Sequence, residues 1–161
     1  MRLSAVARTS AALIAAAGLV LGAAATTAPR ASASETVIND WLLGSHCYTS
    51  SGNNDYMCLW YHTELNGAYW GASDNAVDLD TSGLTFDLSN YSTNPAARTQ
   101  GLNQRVANNA GSMANGTSNC TVDTYVYGNF TGNYDHLSPG WAGNLSGDLQ
   151  NNEGSIAYYC S

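Results

Sequence analysis

The sequence contains no lysine, and basic residues of any kind are few. Five arginines stand against 12 aspartates and glutamates, and Arg2, Arg8 and Arg30 lie among the first 33 residues. From residue 34 onward two arginines face all 12 acids, which gives a net charge of −10. Such a chain repels phosphate backbones and anionic membrane surfaces. We therefore expect neither a nucleic-acid partner nor a membrane partner.

A long, strongly apolar run is also missing. The stretch from Ala11 to Ala25 is alanine-rich and shorter than the roughly 20 residues that a membrane-spanning helix needs. Arg2 and Arg8 precede it, and the small residues Ala31-Ser32-Ala33 follow it. This order of basic, apolar and small-residue regions predicts a secretory signal peptide over residues 1–33. The mature chain is expected to be secreted and extracellular.

Strong helix formers are scarce, whereas Gly, Asn, Ser and Thr interrupt every stretch. Short runs of β-forming residues lie between these turn residues, and they predict an all-β fold. The clearest runs are Tyr56 to Tyr61, Ala68 to Trp70, Thr121 to Tyr127 and Ile156 to Tyr159. Residues 34–46 are interpreted as an N-terminal arm. Residues 73–103 are interpreted as a long connection whose core anchors are Val77, Leu79, Leu84 and Phe86.

The four cysteines Cys47, Cys58, Cys120 and Cys160 all follow the predicted signal peptide. An even count in an oxidising compartment predicts two disulfides. Of the three pairings, we favour Cys47–Cys58 and Cys120–Cys160, because each bridge then lies within one half of the chain. A zinc site is the alternative, but the sequence has no C-x-x-C spacing and its three histidines are scattered.

Two landmarks occur twice in the same order, which indicates an internal duplication. Y-H-T-E-L-N-G from Tyr61 is echoed by Y-G-N-F-T-G from Tyr127, and N-N-A-G-S from Asn108 by N-N-E-G-S from Asn151. A tight hairpin needs a residue with positive φ, and Gly67 and Gly132 are predicted to supply it. Two such halves, each with one apolar face, are expected to close on each other as a sandwich.

These hairpins and Asn-Asn turns resemble the paired Greek keys of βγ-crystallin domains. The segments C-L-W-Y, Q-R-V-A-N-N-A-G-S-M and N-N-E-G-S-I more closely resemble small secreted actinobacterial proteins, the metalloproteinase inhibitors of crystallin-like fold. The resemblance implies a disulfide-stapled, βγ-crystallin-like sandwich over residues 47–161, with motifs at about 56–116 and 120–160. It also implies a stoichiometric inhibitor of a secreted, thermolysin-type zinc metallopeptidase, and we expect the protein to be a monomer.

In the characterised inhibitor of that family, a short disulfide-bracketed segment presents a Cys-Val bond to the enzyme. This sequence has no Cys-Val dipeptide. The segment Tyr48–Met57, which the favoured Cys47–Cys58 bridge would pre-order, is therefore the hypothesis for the inhibitory loop. Its central residues are Ser51, Gly52, Asn53 and Asn54.

Calcium is the one cofactor that the resemblance brings in, because many crystallin-like domains bind it through two Asn/Asp, two variable residues, Ser/Thr and then Ser. The residues that match are Asn108, Asn109, Ser112, Asn151, Asn152 and Ser155. Met113 and Ile156 occupy the sixth position, where an oxygen ligand is expected. The alternative interpretation is that the asparagines cap turns and the apolar sixth residue enters the core.

Catalytic motifs are missing: there is no G-x-S-x-G, no H-E-x-x-H and no phosphate-binding glycine loop. Asp78 and Asp80 would share one strand face, but solvated acids are the simpler interpretation, and His62 fits a turn residue. We therefore predict no enzyme. Tryptophans and tyrosines could form a sugar platform, although core and hairpin positions suit them better. A calcium-binding structural module and a killer-toxin-like antimicrobial effector are the alternative functions, and the negative charge counts against the second.

Overall fold

The computed structural model describes residues 33–42, 47, 57–72 and 76–161, which belong to one compact unit, Ser32–Ser161. The predicted signal peptide, apart from Ala33, lies outside the described residues. So do Ser51, Gly52, Asn53 and Asn54 of the predicted inhibitory loop. In the described part of the chain, no helix has the length and apolar character needed to cross a membrane.

Ten strands and two short helical turns make up the described structure. The strands are β1 (Glu35–Val37), β2 (Trp41–Leu42), β3 (Met57–Trp60), β4 (Tyr69–Ala72), β5 (Ala76–Asp78), β6 (Ser112–Asn115), β7 (Cys120–Tyr127), β8 (Thr131–Leu137), β9 (Trp141–Asn144) and β10 (Ser155–Cys160). The turns are α1 (Leu79–Ser82) and a 3₁₀ turn at Pro95–Ala97. The fold is thus all-β, as the β-forming runs predict.

The strands form two five-stranded sheets, ordered β1-β8-β7-β10-β5 and β2-β9-β6-β3-β4. The first Greek key, β3 to β6, keeps three strands in one sheet and sends β5 to the other. The second, β7 to β10, keeps β7, β8 and β10 in the other sheet and sends β9 to the sheet of the first motif. Each motif therefore completes the sheet of its partner, which is the arrangement of a βγ-crystallin-like sandwich.

Alternation along β7 shows why this sequence makes a half-buried strand. Val122 and Thr124 are fully buried, whereas Tyr125 is partly exposed and Tyr127 is exposed. A period of two places alternate side chains on opposite faces of a sheet. The inner face joins a core whose largest buried members include Trp60, Tyr69, Phe86, Leu59, Met113 and Ile156.

The long connection is anchored as predicted, although it is more ordered than expected. Leu79 and Phe86 are buried, and Val77 and Leu84 pack against the same core. Val77 does so from a strand, because β5 pairs antiparallel with β10. The connection thus contributes one strand to the far sheet.

Residues 35–42, at the start of the predicted arm, add one strand to each sheet. β1 pairs parallel with β8, and β2 pairs antiparallel with β9. Between them, Ile38 donates its N–H to the His136 carbonyl at 3.1 Å, and it is 6% exposed within the main core. This segment covers the β8 and β9 edges of the sandwich.

Both disulfides have the predicted pairing, Cys47–Cys58 and Cys120–Cys160. The second joins β7 to β10, whose register places Cys120 opposite Cys160. It therefore ties the last strand to the start of the second motif.

Candidate functional site

The duplicated hairpins and Asn-Asn turns lie together in the fold, so they form the candidate site. In the first hairpin Glu64 and Leu65 have φ of 60° and 55°, and in the second Asn129 and Phe130 have 56° and 57°. Two consecutive left-handed residues match the twist of a tight β-hairpin. Gly67 (φ 88°) and Gly132 (φ 89°) follow them, as predicted.

A serine from each Asn-Asn turn holds one hairpin closed. Ser112 Oγ donates to the His62 carbonyl at 2.6 Å and accepts from the Leu65 N–H at 3.0 Å. Ser155 Oγ makes the same two bonds in the second motif, at 2.6 and 3.0 Å. Both hydroxyls are thus used in the fold.

The second serine also fixes the correspondence between the two hairpins. Its partners are the Tyr127 carbonyl and the Phe130 N–H. Tyr127 therefore corresponds to His62 in the structure, whereas the repeated tyrosines of the sequence align it with Tyr61.

The two Asn-Asn turns bind each other across the interface between the motifs. The N–H of Asn108 donates to the Glu153 carbonyl at 3.0 Å, and the N–H of Asn151 donates to the Ala110 carbonyl at 2.9 Å. The side chains of Asn109 and Asn152 cap their own turns, at the carbonyls of Ala107 and Asp148. Met113 and Ile156, which occupy the sixth position, are fully buried.

Glu153 breaks the symmetry of these turns, because its counterpart is Ala110. Its carboxylate is completely buried and accepts the N–H groups of Asn109, Ala110 and Asn152 at 2.9, 2.7 and 3.1 Å. Burial raises the pKa of the Glu153 carboxyl to about 7, although these backbone hydrogen bonds oppose the shift. Sequence reasoning missed this role, although Glu153 is the one acid within the two N-N-x-G-S turns.

Asp78 and Asp80 bring two carboxylates to the second hairpin, where Asp80 also meets the first Asn-Asn turn. Asp78 Oδ2 accepts the Asn129 N–H at 3.0 Å, and Asp80 Oδ2 accepts the Gly128 N–H at 3.2 Å. Asp80 Oδ1 lies 3.5 Å from Asn108 Nδ2. Both carboxylates are thus hydrogen-bonded to the second hairpin, Asp78 from β5 and Asp80 from α1, and Asp80 is also exposed to solvent.

In the other half-site Asn144 Oδ1 accepts the Glu64 N–H at 2.6 Å, as Asp78 accepts that of Asn129, and an open cavity of about 360 Å³ lies beside the second Asn-Asn turn. It is lined by Tyr61, His62, Thr63, Gly111, Gln150 and Asn151. These residues offer neutral donors and acceptors, and His62 Nε2 lies 2.8 Å from Gln100 Oε1. One half-site is therefore occupied by carboxylates and the other is open and neutral.

This asymmetry decides which side chains are available to bind a metal ion at each turn. Around the second turn the lining without carboxylates and the Ser112 hydroxyl, which is bonded to His62 and Leu65, do not fit calcium, which favours carboxylate ligands. Around the first turn, Asp78 and Asp80 supply two carboxylates. Among the described residues, no group of three or more His, Cys, Asp or Glu side chains is arranged to hold a metal.

A second polar group lies on the outer face of the first sheet, away from these turns. His136 Nδ1 pairs with Asp123 Oδ1 at 2.7 Å across β7 and β8. Burial raises the pKa of the Asp123 carboxyl, and His136 partly opposes this shift. Asp123 and Tyr125 are two residues apart in β7, so the alternation of a strand is the signal that places both side chains on one face.

Comparison with known proteins finds similarity at the level of solved structures. A structure concerned with the evolution of the eye-lens βγ-crystallin domain fold shares 19% identity at a TM-score of 0.48, covering 71% of this chain and 97% of its own. A βγ-crystallin domain from Flavobacterium johnsoniae shares 13% at 0.44, covering 66% and 97%. One from Clostridium beijerinckii shares 16% at 0.44, covering 66% and 99%.

No protein-family model and no curated protein matches the chain. The solved structures bear on the fold alone. The exchanged strands β5 and β9, the serine-closed hairpins and the two bridges are features of the molecule itself. By these features the chain is a disulfide-stapled, βγ-crystallin-like sandwich of two Greek-key motifs.

Proposed function

We propose that the mature protein is a secreted, monomeric inhibitor of an extracellular thermolysin-type zinc metallopeptidase that acts by stoichiometric binding. The observation that carries the proposal is the Cys47–Cys58 bridge, which holds the ends of the segment 48–57 with Cα atoms 5.8 Å apart. Cys58 is completely buried in β3, which is paired on both sides, with β4 and with β6. A segment closed on a rigid core loses less conformational entropy on docking.

Resistance to cleavage is the second requirement of an inhibitor, and the fold supports it. Both chain halves carry a disulfide, and β10 is paired on both sides, with β7 and with β5. Proteolysis requires local opening, which such pairing and cross-linking oppose. Two disulfides are also consistent with an extracellular protein.

A titration tests the proposal. Purified mature protein is added to a thermolysin-type enzyme, and residual activity is expected to fall linearly to zero near one equivalent while the inhibitor stays intact on a gel. A subtilisin-type serine peptidase, titrated in parallel, decides the target class. Full metallopeptidase activity at several equivalents would reject the function.

The inhibitory segment is tested separately with Ser51→Ala/Asn53→Ala. The matched control is Ser118→Ala/Asn119→Ala, which changes the same residue types near the other bridge, on exposed positions before Cys120. We expect the first pair to weaken inhibition at least about tenfold and the control to leave it unchanged, since loop contacts concentrate binding energy. Equal inhibition by the unsubstituted protein and both double variants would show that the inhibitory surface lies elsewhere, without rejecting the function.

A calcium-binding module is the second candidate, and Asp78 and Asp80 beside Asn108 favour it at the first turn only. Calorimetric titration of the chelated protein with calcium is the test. Binding that Asp80→Asn abolishes and Asn151→Ala spares would support this site. No heat at millimolar calcium, the weak end of the range for extracellular sites, would reject it.

A further inference from the structure

The outer face of the sheet β1-β8-β7-β10-β5 carries a cluster of partly or fully exposed aromatic rings beside two carboxylates, of which Glu35 is exposed and Asp123 is buried. Strand alternation places all but one of its members on one side, across four neighbouring strands, and the remaining member, Phe130, lies in the hairpin between β7 and β8. We call this the tyrosine face, and its members are Glu35, Asp123, Tyr125, Phe130, Tyr134 and Tyr159. None of them belongs to the Asn-Asn turns or to the segment between Cys47 and Cys58.

The rings form a continuous surface. Tyr125 is tilted against Tyr134 with ring centroids 5.2 Å apart, and it meets Phe130 edge-on at 6.2 Å. Tyr159 is 52% exposed and Phe130 is 38% exposed. Aromatic faces carry negative electrostatic potential, so adjacent exposed rings attract a cation.

The hydroxyl groups of the tyrosine face have partners within it. Tyr134 Oη donates to Glu35 Oε2 at 2.9 Å, and the hydroxyls of Tyr125 and Tyr159 lie 2.9 Å apart. Tyr125 Oη donates to Asp123 Oδ2 at 3.5 Å when Tyr159 donates to Tyr125. Every phenol proton then has an acceptor within the cluster.

What the face offers outward is therefore lone pairs and ring faces. Carboxylates only accept hydrogen bonds, and the His136 proton on Nδ1 is directed to Asp123. A sugar would need donors as well as acceptors, and no lysine, arginine, asparagine or glutamine is among the members of the face. A donor-rich cation matches this chemistry better than a glycan does.

The charge of the whole molecule acts in the same direction. Two arginines against 12 acids follow the predicted signal peptide. Of the two, Arg105 donates to the Asp80 carbonyl at 3.0 Å. A surface of one sign steers a partner of the opposite sign and raises its association rate.

We propose that the tyrosine face binds a positively charged segment of another polypeptide, with an arginine or lysine side chain over the Tyr125 and Tyr134 rings and paired to the exposed Glu35 carboxylate. This site is independent of the proposed inhibition, because it uses neither the disulfide-closed segment nor the Asn-Asn turns. The proposed inhibitory segment is closed by a disulfide, whereas this second recognition surface lies on a rigid sheet.

The test is calorimetric titration of the mature protein with an acetylated (Arg-Ala)₄ peptide, with (Glu-Ala)₄ as the charge-reversed probe. We expect saturable binding of the arginine peptide that weakens with salt, and no binding of the glutamate peptide. Tyr134→Leu and Glu35→Gln should each weaken binding about threefold or more, whereas Tyr134→Phe, which keeps the ring, should lose less.

The matched charge control is Asp87→Asn, which removes one exposed acid beside Leu88, a residue bridged to Tyr69 at the edge of the other sheet. It should bind within about twofold of the unsubstituted protein, since distant exposed charges are screened. Equal weakening by Glu35→Gln and Asp87→Asn would overturn the proposal in favour of nonspecific attraction. Binding of a chito-oligosaccharide but not of the arginine peptide would overturn it in favour of a glycan. Circular dichroism of each variant confirms that it is folded.

Discussion

At the scale of a single residue, Glu153 is where the two repeated Asn-Asn turns differ most in chemistry. Its counterpart Ala110 needs no solvation, whereas the Glu153 carboxylate is buried and held by three backbone N–H groups. Burial without a countercharge disfavours the ionised form, and backbone donors return only part of the lost hydration. This carboxyl therefore links the stability of the interface between the motifs to pH.

We predict that the free energy of unfolding falls as pH rises from about 4.5 to about 7. The folded-state pKa of Glu153, about 7, lies above its ordinary value of 4.5, so the folded protein holds this proton more tightly. This contribution to the free energy of unfolding, up to about 3 kcal/mol, is fully present below the unfolded-state pKa. It is lost as the pH rises through the folded-state pKa. Denaturant unfolding between pH 4 and 8 measures the slope.

The control for this slope is Glu153→Gln, which cannot ionise. Its unfolding free energy should depend less on pH than that of the unsubstituted protein, whatever its absolute value. Burial also raises the pKa of the Asp123 and Asp135 carboxyls, so the variant should keep part of the dependence. An unchanged slope in Glu153→Gln would contradict the assignment, and exposed Glu64→Gln supplies the matched comparison.

At the scale of elements, residues 35–42 connect the two sheets at one edge. β1 and β2 are short and largely exposed, and their stability comes from pairing with β8 and β9 and from Ile38 between them. Edge strands exposed to solvent invite pairing with other chains, and added edge strands cover them. The segment thus closes the β8 and β9 edges through one buried side chain.

Ile38→Ala is predicted to destabilise the fold by about 2–4 kcal/mol, because it removes a side chain that is 6% exposed in the main core. Val37→Ala is the matched control, since Val37 is 58% exposed on the adjacent position, and we expect a change within about 0.5 kcal/mol. Thermal or denaturant unfolding measures both. Equal losses would show that Ile38 does not anchor the segment.

At the scale of the whole molecule, the two disulfides close loops of different lengths. Cys47 and Cys58 are 11 residues apart, and Cys120 and Cys160 are 40 apart. A cross-link that closes a longer loop removes more entropy from the unfolded chain. The second bridge also joins the first and last strands of its motif, so it holds the Greek key closed.

We predict that Cys120→Ala/Cys160→Ala destabilises the protein by about 4 kcal/mol and Cys47→Ala/Cys58→Ala by about 3 kcal/mol. Denaturant unfolding of the two double variants under identical conditions gives the comparison. A larger loss from the first bridge would contradict the loop-length account. If the proposed inhibition is correct, Cys47→Ala/Cys58→Ala should also lose more inhibition than stability alone explains.

Local signals in the chain predicted the parts of the fold that depend on neighbouring residues. Gly67 and Gly132 occur where the backbone has positive φ, and the β-forming runs around Cys58 and Tyr125 became strands. The anchors Leu79 and Phe86 are buried. Hairpin geometry and side-chain alternation are short-range properties, so a single sequence contains them.

Pairings between distant residues were not predictable in the same way. β1 pairs with β8 across about a hundred residues, and β5 leaves its own motif for the other sheet. No local pattern marks Asp78 and Asp80 as partners of the Gly128 and Asn129 N–H groups. Such contacts depend on how two motifs meet, which follows from total burial rather than from any one segment.

The amino-acid sequence by itself determined the fold class, the duplication, the expectation of two disulfides and the acidic charge, because periodicity, turn chemistry, cysteine count and composition are local or additive. Only the tertiary structure decided that one half-site is occupied by carboxylates and the other is open, and that Glu153 is buried between the motifs. It also placed Glu35 beside Tyr134 on the tyrosine face. The physical reason is that burial, electrostatic neighbours and shared surfaces arise from packing two sheets together, and these exist only once the chain has folded.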